Sequence, residues 1–313
     1  MKHLEKAFIG NNHFLLYVAV IVIVLVAQGF ISAILMGIIV FSNISSPNEL
    51  IGADAMSLLK SIDSNITLTV LMIPMALSFI LILILIKAIH GRTFAEVVNG
   101  TKQTRWQRVF YGFAIWFVIM AISSIAQYLA SPEVFILQFS LKKFIPLILI
   151  SLALIPFQTT FEEVMTRGYL AQGVGTLTGN RWLAFLIPAF FFTVLHLFNP
   201  EIKEHGFWIM LFTYLAMSLI WGLVAILDDG IELAIGMHAA NNIFISLFTS
   251  QKGAAFETDA VFAITKSNPY LDFVILLIAG GIAIAIFYKK YDWSFNTLNT
   301  KIENPNSKTI SVS

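Results

Sequence analysis

The chain has no cysteine among its 313 residues and is poor in charge: charged side chains make up only 12%, and the formal net charge is +1. Without cysteine there can be no disulfide, no thiolate metal ligand and no thiol nucleophile. So small a net charge offers no electrostatic footprint for nucleic acid, and no such partner is expected. A soluble domain typically carries about 25% charged residues. The deficit is made up by apolar side chains, with hydrophobic residues at 58% and a mean hydropathy of +0.83, a composition suited to a lipid bilayer. No internal repeat is visible, so an inverted-repeat carrier architecture gains no support.

A membrane-crossing helix needs about 20 mostly apolar residues. Eight segments meet that requirement, centred near Val26, Leu81, Phe117, Leu152, Phe190, Ala216, Phe244 and Ile282. The first apolar run, Phe14 to Val40, exceeds the roughly 7 to 15 residues of a signal-peptide core and is expected to be a retained span. The sequence therefore predicts an all-α membrane protein of about eight transmembrane helices. It divides into three N-terminal helices (1–143), a core of helices four to seven (144–250), a loop with the last helix (251–291), and a polar tail expected to be disordered (292–313). With the N-terminus inside, 19 basic residues divide unevenly: all but Lys60, Lys142, Lys143, Lys203, Lys252 and Lys266 fall on the inner side. Both termini are thus expected to be cytoplasmic, in a multi-pass protein of the cytoplasmic membrane if the source is bacterial.

Ionisable groups inside spans are costly and are functional candidates by default. Here they are confined to three helices. The fourth carries Glu162, Glu163 and Arg167, the fifth His196, and the seventh His238 with Asn241 and Asn242. Glu163 and Arg167 stand four apart with the acid first, the favourable order for a helical ion pair, and a structural clamp is expected of them. Glu162 points about 100° away and has no local partner. An unpaired carboxylate in apolar surroundings suits a general base or acid working near neutrality. His238 and Asn242 share a helix face and together supply two hydrogen-bond donors, as oxyanion stabilisation in acyl transfer requires. Phe192 and His196 likewise share a face, so that the ring walls one side of the imidazole. The remaining histidines (His3, His13, His90 and His205) lie at or beyond span ends and are expected at the interface. Asp228, Asp229 and Glu232 sit at a helix edge, where the helix dipole suffices to explain them.

Three pieces, Glu162-Glu163-x-x-x-Arg167, Phe192-x-x-x-His196 and His238-x-x-x-Asn242, occur in order on consecutive hydrophobic segments. In order and spacing they resemble the motifs of the CPBP family of intramembrane proteases, which includes the type II CAAX prenyl endopeptidases and bacteriocin-processing and immunity proteins. The resemblance spans roughly Phe144 to Phe248, and His196-Leu-Phe-Asn-Pro200 also looks like the family. It implies eight helices around an intramembrane catalytic cavity. It further implies an endopeptidase acting on a membrane-associated or lipidated protein or peptide, with Glu162 activating water, His196 assisting, and His238 and Asn242 forming an oxyanion hole or coordinating metal. Glu162, His196 and His238 could hold one zinc ion as two imidazoles and a carboxylate, yet a metal-free mechanism needs only the same groups. The sequence lacks the His-Glu-x-x-His of zincins and the Gly-x-Gly-Asp of presenilin-like proteases. The competing readings are a non-catalytic scaffold or immunity protein and a proton-coupled carrier. One expectation sits awkwardly with the others. Counted from the inner ends of their spans, His238 lies about 10 Å deep and His196 about 22 Å deep.

Overall fold

The structure is a computed structural model that describes residues 3–43, 62–251, 253–255 and 257–304. The helices are α1 (Phe14–Asn43), α2 (Ser64–His90), α3 (Phe94–Asn99), α4 (Trp106–Ala130), α5 (Leu141–Glu163), α6 (Ala171–Thr178), α7 (Arg181–His196), α8 (Glu201–His205), α9 (Phe207–Leu227), α10 (Glu232–Phe248) and α11 (Pro269–Tyr291). A π-helical stretch, Val164–Leu170, joins α5 to α6 without a break, giving one apolar run of 38 residues.

Each of the eight expected span centres falls inside one of these helices. Among the described residues 6 are long and apolar enough to cross a bilayer. The other two are short: α7 has 16 residues and α10 has 17. α7 keeps an exposed apolar side with Ile187, Phe190 and Val194. α10 is nearly enclosed, packed against α4, α5 and α9, whereas α1 buries a stripe of Tyr17, Val20, Ile21 and Val24, with Val40 nearer its end, and exposes Val22, Val26 and Phe30. Exposed apolar side chains of this kind belong against lipid.

Local sequence sets the helix ends. Asp63 caps α2 by accepting the Asn65 N–H, and Gly91 ends it in the left-handed conformation at φ 68. Thr93 and Glu96 form a reciprocal capping box on α3. Asn180 caps α7 and Asn268 caps α11, the latter with Pro269 in the first turn. The crossing of α4 and α10 depends on two glycines. A Cβ at Gly112 would collide with the Leu233 carbonyl, and one at Gly236 with the Val109 carbonyl, so the two backbones touch.

Four features depart from expectation. A small sheet forms in the order β1 (Phe135–Leu137), β3 (Phe262–Ile264), β2 (Thr249–Gln251), antiparallel between β1 and β3 and parallel between β2 and β3. Secondly, residues 292–304 of the tail are ordered. Trp293, Leu298 and Ile302 are buried, the Ile302 N–H donates to the Gly179 carbonyl at 2.9 Å, and Arg181 donates to Thr300 at 2.8 Å. The polar composition of the tail hid three apolar anchors; residues 305–313 lie outside the described residues, as does the α1–α2 loop around Asp54. Thirdly, Asp228 and Glu232 at the α9–α10 turn are ion-paired. Glu232 accepts from Arg105 at 2.5 and 2.9 Å and from Asn99 at 2.5 Å, while Asp228 pairs with Arg105 at 3.1 Å and with Arg108. His3 and His90, expected at the interface, are buried instead, bonded to the Val97 carbonyl at 2.8 Å and to the Tyr169 hydroxyl at 2.6 Å.

The described ends of the chain meet at one end of the bundle, where Arg181 holds Glu5 at 3.1 Å as well as Thr300.

Candidate active site

The apolar helices bring the polar residues of α5, α7 and α10 together in the interior. Glu162 and Glu163 end α5, and the wider π turn follows at once. Such turns accompany functional sites because they shift side chains off the regular helical register. The expected clamp forms: Arg167 Nη1 lies 3.0 Å from Glu163 Oε1. Arg167 also donates to the Ser218 hydroxyl at 2.5 Å and the Ser218 carbonyl at 3.2 Å, and its guanidinium lies over the Phe192 ring at 4.4 Å.

Glu163 does more than clamp. His238 Nδ1 lies 2.9 Å from the same Oε1. A carboxylate only accepts, so Nδ1 carries a proton, and the opposite nitrogen, Nε2, is directed at Glu162 Oε2 at 3.5 Å. The indole of Trp221 stacks on the imidazole at 4.2 Å between centroids, 23° from parallel, fixing its plane. Glu162 itself is buried, and the His238 contact is its carboxylate's one protein neighbour of this kind among the described residues.

His196 ends α7 with its Nδ1 2.8 Å from the Phe192 carbonyl. A carbonyl likewise only accepts, so Nδ1 is protonated and Nε2 keeps its lone pair in the neutral ring. The Phe192 ring stacks on His196 at 4.0 Å, as the four-residue spacing predicts, and meets His238 edge-on at 6.1 Å. Phe192 thus sits between the two imidazoles.

The α9–α10 turn is drawn into the bundle, and Phe192, one turn before His196, is the α7 residue that meets His238. Ile231, Glu232 and Leu233 are fully buried, whereas α7 starts beside the exposed Asn180 side. Ion pairing with Arg105 and Arg108 makes that burial tolerable for Asp228 and Glu232.

Asn242, one turn beyond His238, donates through Nδ2 to Gln158 Oε1 at 3.0 Å, and its Oδ1 accepts from Asn241 at 3.1 Å; Asn241 in turn accepts from Trp116 at 3.3 Å. This fixes the amide orientation and leaves one Nδ2 hydrogen without an acceptor among the described residues. Gln158 was not singled out in the sequence, although it stands one turn before Glu162 on the same face of α5, a spacing that could have marked it. Ser218 and Trp221 of α9 carried no such mark in the sequence, being ordinary residues of an apolar helix.

Among the described residues no three His, Asp or Glu side chains are disposed to hold a metal ion. Glu162, His196 and His238, the zinc set considered from the sequence, do not form such a group.

Residues 141–244 match the family model described as type II CAAX prenyl endopeptidase Rce1-like. The chain is 31% identical over 205 residues to the uncharacterized protein YyaK of Bacillus subtilis (strain 168), covering 64% of this chain and 68% of that protein. No solved structure matches. The matched segment opens at the start of α5 and closes within α10, taking in the whole cluster from Gln158 to Asn242, and with the extended similarity to YyaK this shows that the chain belongs to the Rce1-like family of type II CAAX prenyl endopeptidases.

Proposed function

We propose that the chain is an intramembrane endopeptidase that hydrolyses a peptide bond of a membrane-associated or lipidated protein, with a water activated by Glu162 and His196. The observation that carries this reading is the arrangement around His238. One imidazole bridges two carboxylates, Glu163 at 2.9 Å and Glu162 at 3.5 Å, while Arg167 neutralises only Glu163. Glu162 is thereby left as the acid without a cation of its own, a state suited to taking a proton from water.

His196, with its lone pair on Nε2, assists in that proton transfer and can pass the proton on to the leaving amine. As the scissile carbonyl becomes an oxyanion, His238 and the second hydrogen of Asn242 Nδ2 are the donors that meet it. Glu163 on Nδ1 holds the His238 ring in the orientation that presents Nε2 to the site. Phe192 and Trp221 hold both rings in plane and keep bulk water from the cluster, which strengthens each of these interactions. The scaffold and carrier readings leave the separate treatment of the two adjacent glutamates without a purpose.

A comparison of the membrane peptidomes of cells carrying the wild-type chain and Glu162→Gln tests the proposal and identifies the substrate class. Full-length species that accumulate only in the variant are expected; identical peptidomes would remove the endopeptidase reading.

A further inference from the structure

Beside the ion-paired part of the cluster, four side chains from three helices form a single hydrogen-bonded file. Trp116 of α4 donates through its indole Nε1–H to Asn241 Oδ1 at 3.3 Å. Asn241 Nδ2 donates to Asn242 Oδ1 at 3.1 Å, and Asn242 Nδ2 donates to Gln158 Oε1 on α5 at 3.0 Å. All of these residues are buried, Trp116 completely. The close crossing of α4 and α10 makes the file possible. Gly112, one turn before Trp116 on the same face of α4, lets the α10 backbone approach at Leu233, so the indole one turn later reaches Asn241.

A file of amides can run in either direction. Each carboxamide accepts at one end and donates at the other, so turning all of them over exchanges N–H for C=O along the file and keeps every link between them. The indole breaks this symmetry, because its nitrogen only donates. The Asn241 atom that meets Trp116 must therefore be oxygen, which leaves Nδ2 for Asn242 and, in turn, Asn242 Nδ2 for Gln158. Reversal would set Asn241 Nδ2 against the indole N–H, two buried donors face to face, which is costly. The direction decides what Asn242 offers on the side of α5. Gln158 stands one turn before Glu162 on the same face of that helix, so the end of the Asn242 amide turned to Gln158 lies toward the catalytic face. As the file runs, that end is an amino group with a second hydrogen to give; reversed, it is a carbonyl oxygen, which repels an oxyanion instead of stabilising it.

We infer that Trp116 and Asn241 are positioning residues for the oxyanion site: the indole N–H, acting through Asn241, holds Asn242 with its donor toward the substrate carbonyl. The inference rests on the reading of Asn242 as an oxyanion donor. Neither residue has to touch the substrate, and their contribution belongs in kcat rather than KM, because the oxyanion exists only once the carbonyl has been attacked. Phenylalanine at 116 would fill most of the space and set no direction. Gln158, able to accept or to donate, follows the direction that Trp116 sets.

The test measures kcat, KM and the unfolding midpoint of the full chain in detergent, with a peptide copied from the species that accumulates in Glu162→Gln cells as substrate. Site-specific replacement of Trp116 by benzothienylalanine exchanges the ring N–H for sulphur at nearly constant shape, and Asn241→Leu removes the link that follows. Asn242→Ala is the reference and should lower kcat about 100-fold, the effect of losing one oxyanion-hole donor. The Trp116 isostere should lower kcat roughly two- to ten-fold, the worth of one net hydrogen bond, with KM unchanged, and Asn241→Leu should fall between the two. Combined with Asn242→Ala, neither change should lower kcat further, since both act only through Asn242. A general structural defect would instead lower kcat by the same factor in both backgrounds. Wild-type kcat for the Trp116 isostere, or equal losses with and without Asn242, would overturn the inference and leave Asn242 its role. Wild-type kcat for Asn242→Ala would remove the oxyanion reading itself, and the inference with it.

Discussion

Glu163→Gln is the perturbation that bears most directly on how the cluster is held together. In the native arrangement Glu163 Oε1 receives both Arg167 and His238, at 3.0 and 2.9 Å, and all three side chains are buried. The amide can still accept one hydrogen bond, but the negative charge is gone, and Arg167 keeps only neutral partners: Ser218, Thr166 and the Phe192 ring. Breaking a buried pair by removing one partner costs about 3–5 kcal/mol. At roughly 2–4 °C per kcal/mol for a large domain, the unfolding midpoint should fall on the order of 10 °C. Thermal denaturation of the detergent-solubilised protein reads this. Adding Arg167→Met removes the stranded cation, so the double variant should regain much of the loss, an outcome a purely steric defect would not give. Turnover should fall as well, because His238 loses the carboxylate that orients it. Glu163→Gln is thus expected to affect both stability and activity, whereas the sequence assigned Glu163 a clamping role alone. A midpoint within about 1 °C of wild type would refute the reasoning.

Gly236→Ala places a methyl group against the Val109 carbonyl where α10 crosses α4; such overpacking should cost about 1–3 kcal/mol, visible as a lower denaturation midpoint, and an unchanged midpoint would mean the helices can part freely. Burial lowers the pKa of His3 below its ordinary value, with Asp229 acting partly against this. Its contribution to stability is therefore complete above about pH 6.5 and is lost as the pH falls below it, so the wild type should lose more stability between pH 8 and pH 5 than His3→Gln does. Equal losses would show that His3 does not titrate with folding. A reporter fused after Ser313 should be active only on the cytoplasmic side, since basic residues concentrate at the end where the chain termini meet; activity on the other face would reverse the assigned orientation.

Local periodicity carried much of this architecture. Apolar runs located the eight longest helices, and four-residue spacing paired Glu163 with Arg167 and stacked Phe192 on His196. Partners brought together by the fold were not legible. His238 and Glu163 are 75 residues apart, and nothing in either helix announces that α10 turns Nδ1 toward the clamp rather than leaving His238 beside Asn242 alone. Asp228 and Glu232 were misread as dipole-stabilised because Arg105 and Arg108, their partners, lie on a helix more than a hundred residues earlier. The strands of the small sheet, three residues each, are too short for any alternation to register. The tail shows the opposite failure: polar composition outweighed Trp293, Leu298 and Ile302, whose spacing fits no regular period but which are all buried against the bundle.

The central claim, that Glu162 activates the attacking water, is tested most directly by turnover of purified Glu162→Gln against a membrane-anchored peptide substrate, with the unfolding midpoint measured on the same sample. Glu162 has only the 3.5 Å contact with His238 to lose, so the midpoint should stay close to wild type while turnover falls by at least the roughly 100-fold attributable to a general base. Chelator treatment of the wild type should leave turnover unchanged, in keeping with the arrangement of the Glu162, His196 and His238 side chains. Wild-type turnover by Glu162→Gln at an unchanged midpoint would contradict the claim and leave the cluster a structural one.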